Sequence, residues 1–249
     1  MTGRFRNSLH SELTKALTLR SIQMTVLAAL LLPPTLALMS GLAFDPDSAA
    51  ALAFPVESHG FETAGFGQPL VILMAVLICG TEYTDNQLST TLTATPQRGR
   101  ILAAKLCVLG ALATLIAMIA TVAAVLLEHA ALGDHGLPLT NFTPGMAWNL
   151  LGVVVNYILI SIVAATITIV TRSLIAPLIV LVPLVLGLTI SLVSIVPIVR
   201  YLPDLAGIQL LTAYPGIGLL DPITGGAVMA CWTFVLLVIA SLAFRHRDI

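Results

Sequence analysis

The sequence predicts an all-α, polytopic membrane protein with six transmembrane helices, and three observations carry that expectation. Of 249 residues, 58% are hydrophobic and only 9% charged, with mean hydropathy +1.02. A soluble domain of this length cannot hide so much apolar surface, so the bilayer is its solvent. Six apolar stretches approach or exceed the roughly 20 residues that cross the hydrocarbon core. Finally, ten of the eleven basic residues fall at one set of stretch ends, and only Arg200 falls at the other. By the positive-inside rule, both termini then face the cytoplasm.

Along residues 7–20, Leu9, Leu13, Ala16, Leu17 and Arg20 share a helical face, with Arg4, Arg6 and Lys15 adding positive charge. This pattern predicts a helix lying in the membrane interface. The first span is expected over 22–44 and is read as retained rather than cleaved. Pro33-Pro34 in its middle predicts a kink or local unwinding. The loop after it carries Asp45, Asp47, Glu57 and Glu62 but neither Lys nor Arg. A second span follows over 66–81 and a third over 101–127. Along the third, Ala113, Ala117, Ala120 and Ala124 recur at three and four residues, which lets another helix approach closely.

The loop from Glu128 to Ala147 is again without Lys or Arg. A fourth span covers 148–171, Arg172-Ser173 makes a tight turn, and a fifth covers 174–199, interrupted by Pro177, Pro183 and Pro197. Residues 200–221 are too polar to span and too apolar for an ordinary loop. Pro203-Asp204 starts a short helix, Leu205, Ile208 and Leu211 share its face, and Tyr214-Pro215-Gly216 stops it. This piece is expected to dip into the outer leaflet as a re-entrant helix. The sixth span is 222–244.

The polar stretch 82–100 organises the chain. Thr84 and Gln87 have capping-box spacing, and Asp85 sits where the helix dipole favours an acid. Leu88 and Leu92 stand at i, i+4, and Pro96 prevents continuation. Glu82 marks the membrane boundary, with Tyr83 beside it, while Arg98, Arg100 and Lys105 are expected to snorkel toward headgroups. A loop that only anchored two helix ends would explain the arginines but not a capped helix with exposed leucines.

Missing chemistry narrows the function. Neither lysine, Lys15 nor Lys105, follows a glycine, so a G-x-x-x-x-G-K-[ST] phosphate loop is impossible. No ionisable residue lies near the middle of any expected span, which disfavours a proton-coupled carrier. No nucleophile–base pair or carboxylate cluster occurs within the spans, so no catalytic residues are assigned. His59, His129 and His135 sit in the loops near carboxylates, but their spacings match no ligand template, and they are read as solvated, with no metal site. Asn156, beside Tyr157, is the most interior polar residue; it faces either protein, as helix glue, or a substrate path. Cys79, Cys107 and Cys231 read as small hydrophobes. A net charge of −1 gives no reason to expect nucleic acid.

Taken in order, Ser11-Glu12-Leu13-Thr14-Lys15 with Arg20-Ser21, then Glu82-Tyr83, Leu88-Ser89-Thr90-Thr91-Leu92, Pro96-Gln97-Arg98-Gly99-Arg100 and Ala103-Ala104-Lys105 resemble the ABC-2 type permeases. These are the membrane subunits of bacterial ATP-driven exporters, and the opening segment is similar to actinobacterial members. The six-span plan extends the resemblance over the whole chain. Asp85-Asn86 departs from it where many relatives carry Gly, a departure confined to local turn geometry. The resemblance implies a dimer with a second copy or a similar permease, and a separate ABC ATPase subunit on each. That subunit binds ATP and Mg; this chain binds no cofactor and is no enzyme. It further implies that a coupling helix around 85–95 docks on the ATPase, with Glu82, Tyr83, Asp85, Leu88, Leu92, Arg98 and Arg100 at the contact. The N-terminal helix, through Glu12 and Lys15, braces it. Loops of about twenty residues leave no room for a large receptor domain, so an amphipathic drug, antibiotic, peptide or lipid is the expected cargo. A sodium or carbohydrate-polymer exporter, a membrane immunity scaffold and a membrane-embedded enzyme are the alternatives.

Overall fold

The computed structural model describes residues 2–46, 55–84, 98–138, 142–212 and 218–246. Every regular element among them is helical, and six helices are long and apolar enough to cross a membrane. The chain is therefore an all-α multi-pass membrane protein.

The N-terminal helix runs from Thr2 to Thr18. Along it Ala16 is buried against the bundle while Leu13 and Leu17 stay exposed. Gln23 donates from Nε2 to the Leu17 carbonyl at 2.7 Å, satisfying one of the acceptors that the helix end leaves open. The first span follows at once, Arg20–Leu42, and is unbroken through Pro33 and Pro34, both buried. The expected local unwinding is absent. The neighbouring spans hold the diproline instead: Pro33 packs where Gly67 and the Tyr157 hydroxyl meet, and a Cβ on Gly67 would lie 2.0 Å from that oxygen. Thr35 donates to the Leu32 carbonyl at 2.8 Å within the same turn.

The second span is Ala64–Thr84 and the fourth Pro144–Thr171. These two form the centre of the bundle, each with 61% of its apolar window buried, against 17% for the fifth and sixth spans. The third helix, Arg98–Leu132, has 35 residues and is about 52 Å long at 1.5 Å per residue, well beyond the membrane core. Its Ala113, Ala117, Ala120 and Ala124 are all fully buried, so the small-residue stripe is a packing seam. At the far end of this helix, a Cβ on Gly41 would meet the Glu128 carbonyl oxygen at 2.9 Å.

The fourth span starts with a cap, Thr143 Oγ1 accepting from the Met146 amide at 3.2 Å, and ends at Arg172 in the left-handed region. Ser173 Oγ then accepts from the amides of Ile175 and Ala176, so a two-residue turn starts the fifth span.

The fifth span differs from its expected course. The helix Ile175–Pro183 passes into a π-helical turn, Leu184–Leu188, in which Gly187 has φ 115°, and a last turn Thr189–Leu192 ends it well short of 199. Pro183 supplies no amide to the preceding turn, and Gly187 takes a conformation other residues avoid; together they end the regular helix. After Leu192 the chain runs through a 3₁₀ turn, Pro197–Tyr201, into a four-residue helix, Pro203–Ala206. Leu205, Ala206 and Leu211 of this short piece are buried. It sits flat on glycines: a Cβ on Gly152 would strike the Leu210 carbonyl at 2.2 Å, and one on Gly225 the Ala206 carbonyl at 2.0 Å. The sixth span, Pro222–His246, closes the bundle.

Candidate functional site

The end of the molecule that carries the N-terminal helix also carries the ends of the second and third helices, between which segment 85–97 must run. What joins them is a buried charge cluster. Lys105, about two turns into the third helix, donates to Glu12 Oε2 at 2.7 Å and to the Ile78 carbonyl at 3.1 Å. Lys15 donates to the other oxygen, Glu12 Oε1, at 3.0 Å. Glu12 is 4% exposed and Lys105 is 5% exposed.

One expectation changes here. Lys105 does not snorkel to headgroups, because a carboxylate one element away offers a charge-assisted bond and the second helix a spare carbonyl lone pair. Glu12 faces inward and ties the N-terminal helix to the third. Lys15 is on the rim, with its side chain 36% exposed. Glu12, Lys15, Ala16, Leu19, Ile78 and Thr81 line a small hollow beside the brace.

Tyr83 and Arg100 are half-buried at the facing ends of the second and third helices. Glu82 and Arg98 lie in helix ends described by their backbone alone. Asp85, Leu88 and Leu92 lie outside the described residues, as do Pro96 and Gln87 of the capping pattern, whose Thr84 is the last residue of the second helix.

Asn156 and Tyr157 are fully buried. The Asn156 amide donates to the Gly207 carbonyl at 2.8 Å, and its Oδ1 accepts from Gln68 Nε2 at 2.8 Å. The Tyr157 hydroxyl donates to the Ala64 carbonyl at 2.7 Å. Both side chains thus tie the second and fourth spans together, and Asn156 adds the short piece before the sixth span. Gln68, a residue that sequence reasoning passed over, supplies the partner; a glutamine at the start of an apolar helix is its only trace in the sequence.

A second pair also escaped notice. The Thr189 hydroxyl donates to the Asp204 carboxylate and so ties the broken end of the fifth span to the short helix after it. Burial raises the Asp204 carboxyl above the usual carboxylate range, an effect the Thr189 hydrogen bond opposes.

At the opposite end, the loop histidines are corrected. His135 is exposed as expected, but His129 is 4% exposed and the His59 side chain 12%. His59 Nδ1 lies 3.2 Å from Glu128 Oε1. Glu62 approaches the same carboxylate, and its own carboxyl is pushed up to about 8, first by burial and then by the Glu128 charge. Spacing along the chain could not show this, because Glu128 comes from a different helix.

Compared with known families, the chain matches over residues 8–196 the family described as ABC-2 family transporter protein. No curated protein matches it.

Proposed function

The chain belongs to the ABC-2 transporter family, and on that premise we propose that it is the permease subunit of an ATP-driven exporter. It moves a hydrophobic or amphipathic substrate, of the drug, antibiotic, peptide or lipid class, out of a bacterial cell. Being a transporter permease of the membrane is the family's own property, as is association with an ABC ATPase. Export, the cargo, a dimer of permeases and cytoplasmic termini belong to this proposal.

One observation carries the proposal. The N-terminal helix is fastened by a buried ion pair to the third helix and, through Lys105, to the second. Segment 85–97 links those same two helices. A push on that segment therefore meets a braced end and is passed along the spans rather than absorbed by a loose terminus. The chain has no phosphate loop to supply the push itself. Leu88 and Leu92, at i, i+4, are the anchors we assign to a groove on the ATPase, and Glu82 stands at the hinge.

Purification from the native host in mild detergent tests this. A P-loop ATPase in equal stoichiometry is expected, and it should be lost when Leu88 and Leu92 are both changed to Asp. Glu82→Ala should leave assembly intact and abolish transport. A chain that purifies alone, and crosslinks to no ATPase in the membrane, would overturn the proposal and favour a scaffold.

A further inference from the structure

We propose that His59, Glu62 and Glu128 form a binding site for a divalent transition-metal ion of the Zn²⁺ type. It would fasten the loop before the second span to the far end of the third helix. The ligand atoms of these three residues all lie within 4.8 Å of one another. His59 Nδ1 and Glu128 Oε1 are 3.2 Å apart. That is close to the edge of a tetrahedron, about 3.3–3.6 Å, around an ion with ligands at about 2.0–2.2 Å. Glu128 is 1% exposed, and its Oε2 takes a hydrogen bond from no donor. A divalent ion between the two carboxylates would replace the proton or imidazolium that otherwise relieves their repulsion, and its charge balances both.

The backbone holds the ligands in place. Gly60, between His59 and Glu62, has φ 91°, and a Cβ there would lie 2.5 Å from the Cα of Val125. The loop therefore rests directly on the third helix one turn before Glu128. Thr63 Oγ1 donates to the Gly60 carbonyl at 2.8 Å and fixes the same turn. His129 is adjacent, its ring centroid 6.4 Å from that of His59, but it is no ligand. Its Nδ1 accepts from the Leu137 amide at 3.0 Å, so its proton sits on Nε2 and neither nitrogen has a free lone pair. Three protein ligands then leave the remaining coordination to water. One imidazole among them favours Zn²⁺ over Ca²⁺ or Mg²⁺, which prefer all-oxygen sites. The site is separated from Lys105 by roughly 35 Å along the third helix, at 1.5 Å per residue, so its test needs no ATPase.

The test uses the full-length, untagged chain in detergent, stripped with a chelator and equilibrated with Zn²⁺. One ion per chain by elemental analysis is expected, with a rise in Tm on adding Zn²⁺. Competition with a chromophoric chelator should show affinity at least tenfold lower in Glu128→Gln and in His59→Ala, and unchanged in His135→Ala. Should Glu128→Gln fail to fold, Glu62→Gln replaces it. Absence of stoichiometric Zn²⁺ would overturn the proposal. Unchanged affinity in the ligand variants, loss in His135→Ala, or equal binding of Mg²⁺ would do so as well.

Discussion

Lys105 is the residue whose environment most changes its meaning. Because Glu12 is buried, removing its partner leaves a carboxylate in a low-dielectric site with only the rim contact from Lys15. Lys105→Met should therefore destabilise the chain by about 3 kcal/mol. Changing both partners, Lys105→Met with Glu12→Leu, should recover most of that loss. Thermal unfolding of the four chains of the cycle checks this; equal losses in single and double variants would mean that packing, not charge, is at stake. Asn156→Leu strips the partner from the buried Gln68 Nε2 and leaves the Gly207 carbonyl only its bond from the Leu210 amide. A loss of about 1–3 kcal/mol follows if Gln68 Nε2 stays unpaired. Transport measured beside stability separates the roles: a path residue would alter substrate choice at unchanged stability, and the geometry predicts the reverse.

At the scale of elements, the fifth span and the piece after it form the least regular part of the fold. Gly187 at φ 115° makes Gly187→Ala costly by roughly 1–2 kcal/mol, since a Cβ is disfavoured there whatever the free space. The Asp204–Thr189 tie adds a pH dependence. Burial raises the folded-state pKa of Asp204, so its stability contribution is full below the ordinary carboxylate range and is lost as pH rises through the raised value. Asp204→Asn should accordingly gain on the parent protein as pH is raised from about 4, near the ordinary Asp value, to neutrality. Melting temperatures at both pH values decide it, and a variant that lags equally at both would sink the argument.

At the scale of the whole molecule, six crossings return the chain to its starting face, and Leu237 and Ser241 near its end share a cleft with Gly99 and Leu102. The charge distribution predicts that this face is cytoplasmic. In a cysteine-free background, His10→Cys should be labelled by an impermeant reagent only from inside, and Asp134→Cys only from outside; the opposite pattern would invert the topology.

Span number, the existence of an N-terminal helix and the tight turn at Arg172-Ser173 were legible in the sequence. Hydropathy, turn chemistry and charge act on each segment against the bilayer, without reference to any other segment. The bonds that make the candidate sites were not legible, since they join residues far apart in the chain. Glu12 and Lys105 are 93 residues apart, Gln68 and Asn156 are 88, and His59 and Glu128 are 69. Which helix lies against which decides those pairings. That order is set by surfaces such as the alanine seam, by the glycines at 60, 152 and 225, where backbones come close enough to touch, and by Gly67, which makes room for the Tyr157 hydroxyl. Lys105 became a buried tie rather than an interfacial anchor, and two loop histidines a buried cluster, only when packing brought Glu12 and Glu128 to them.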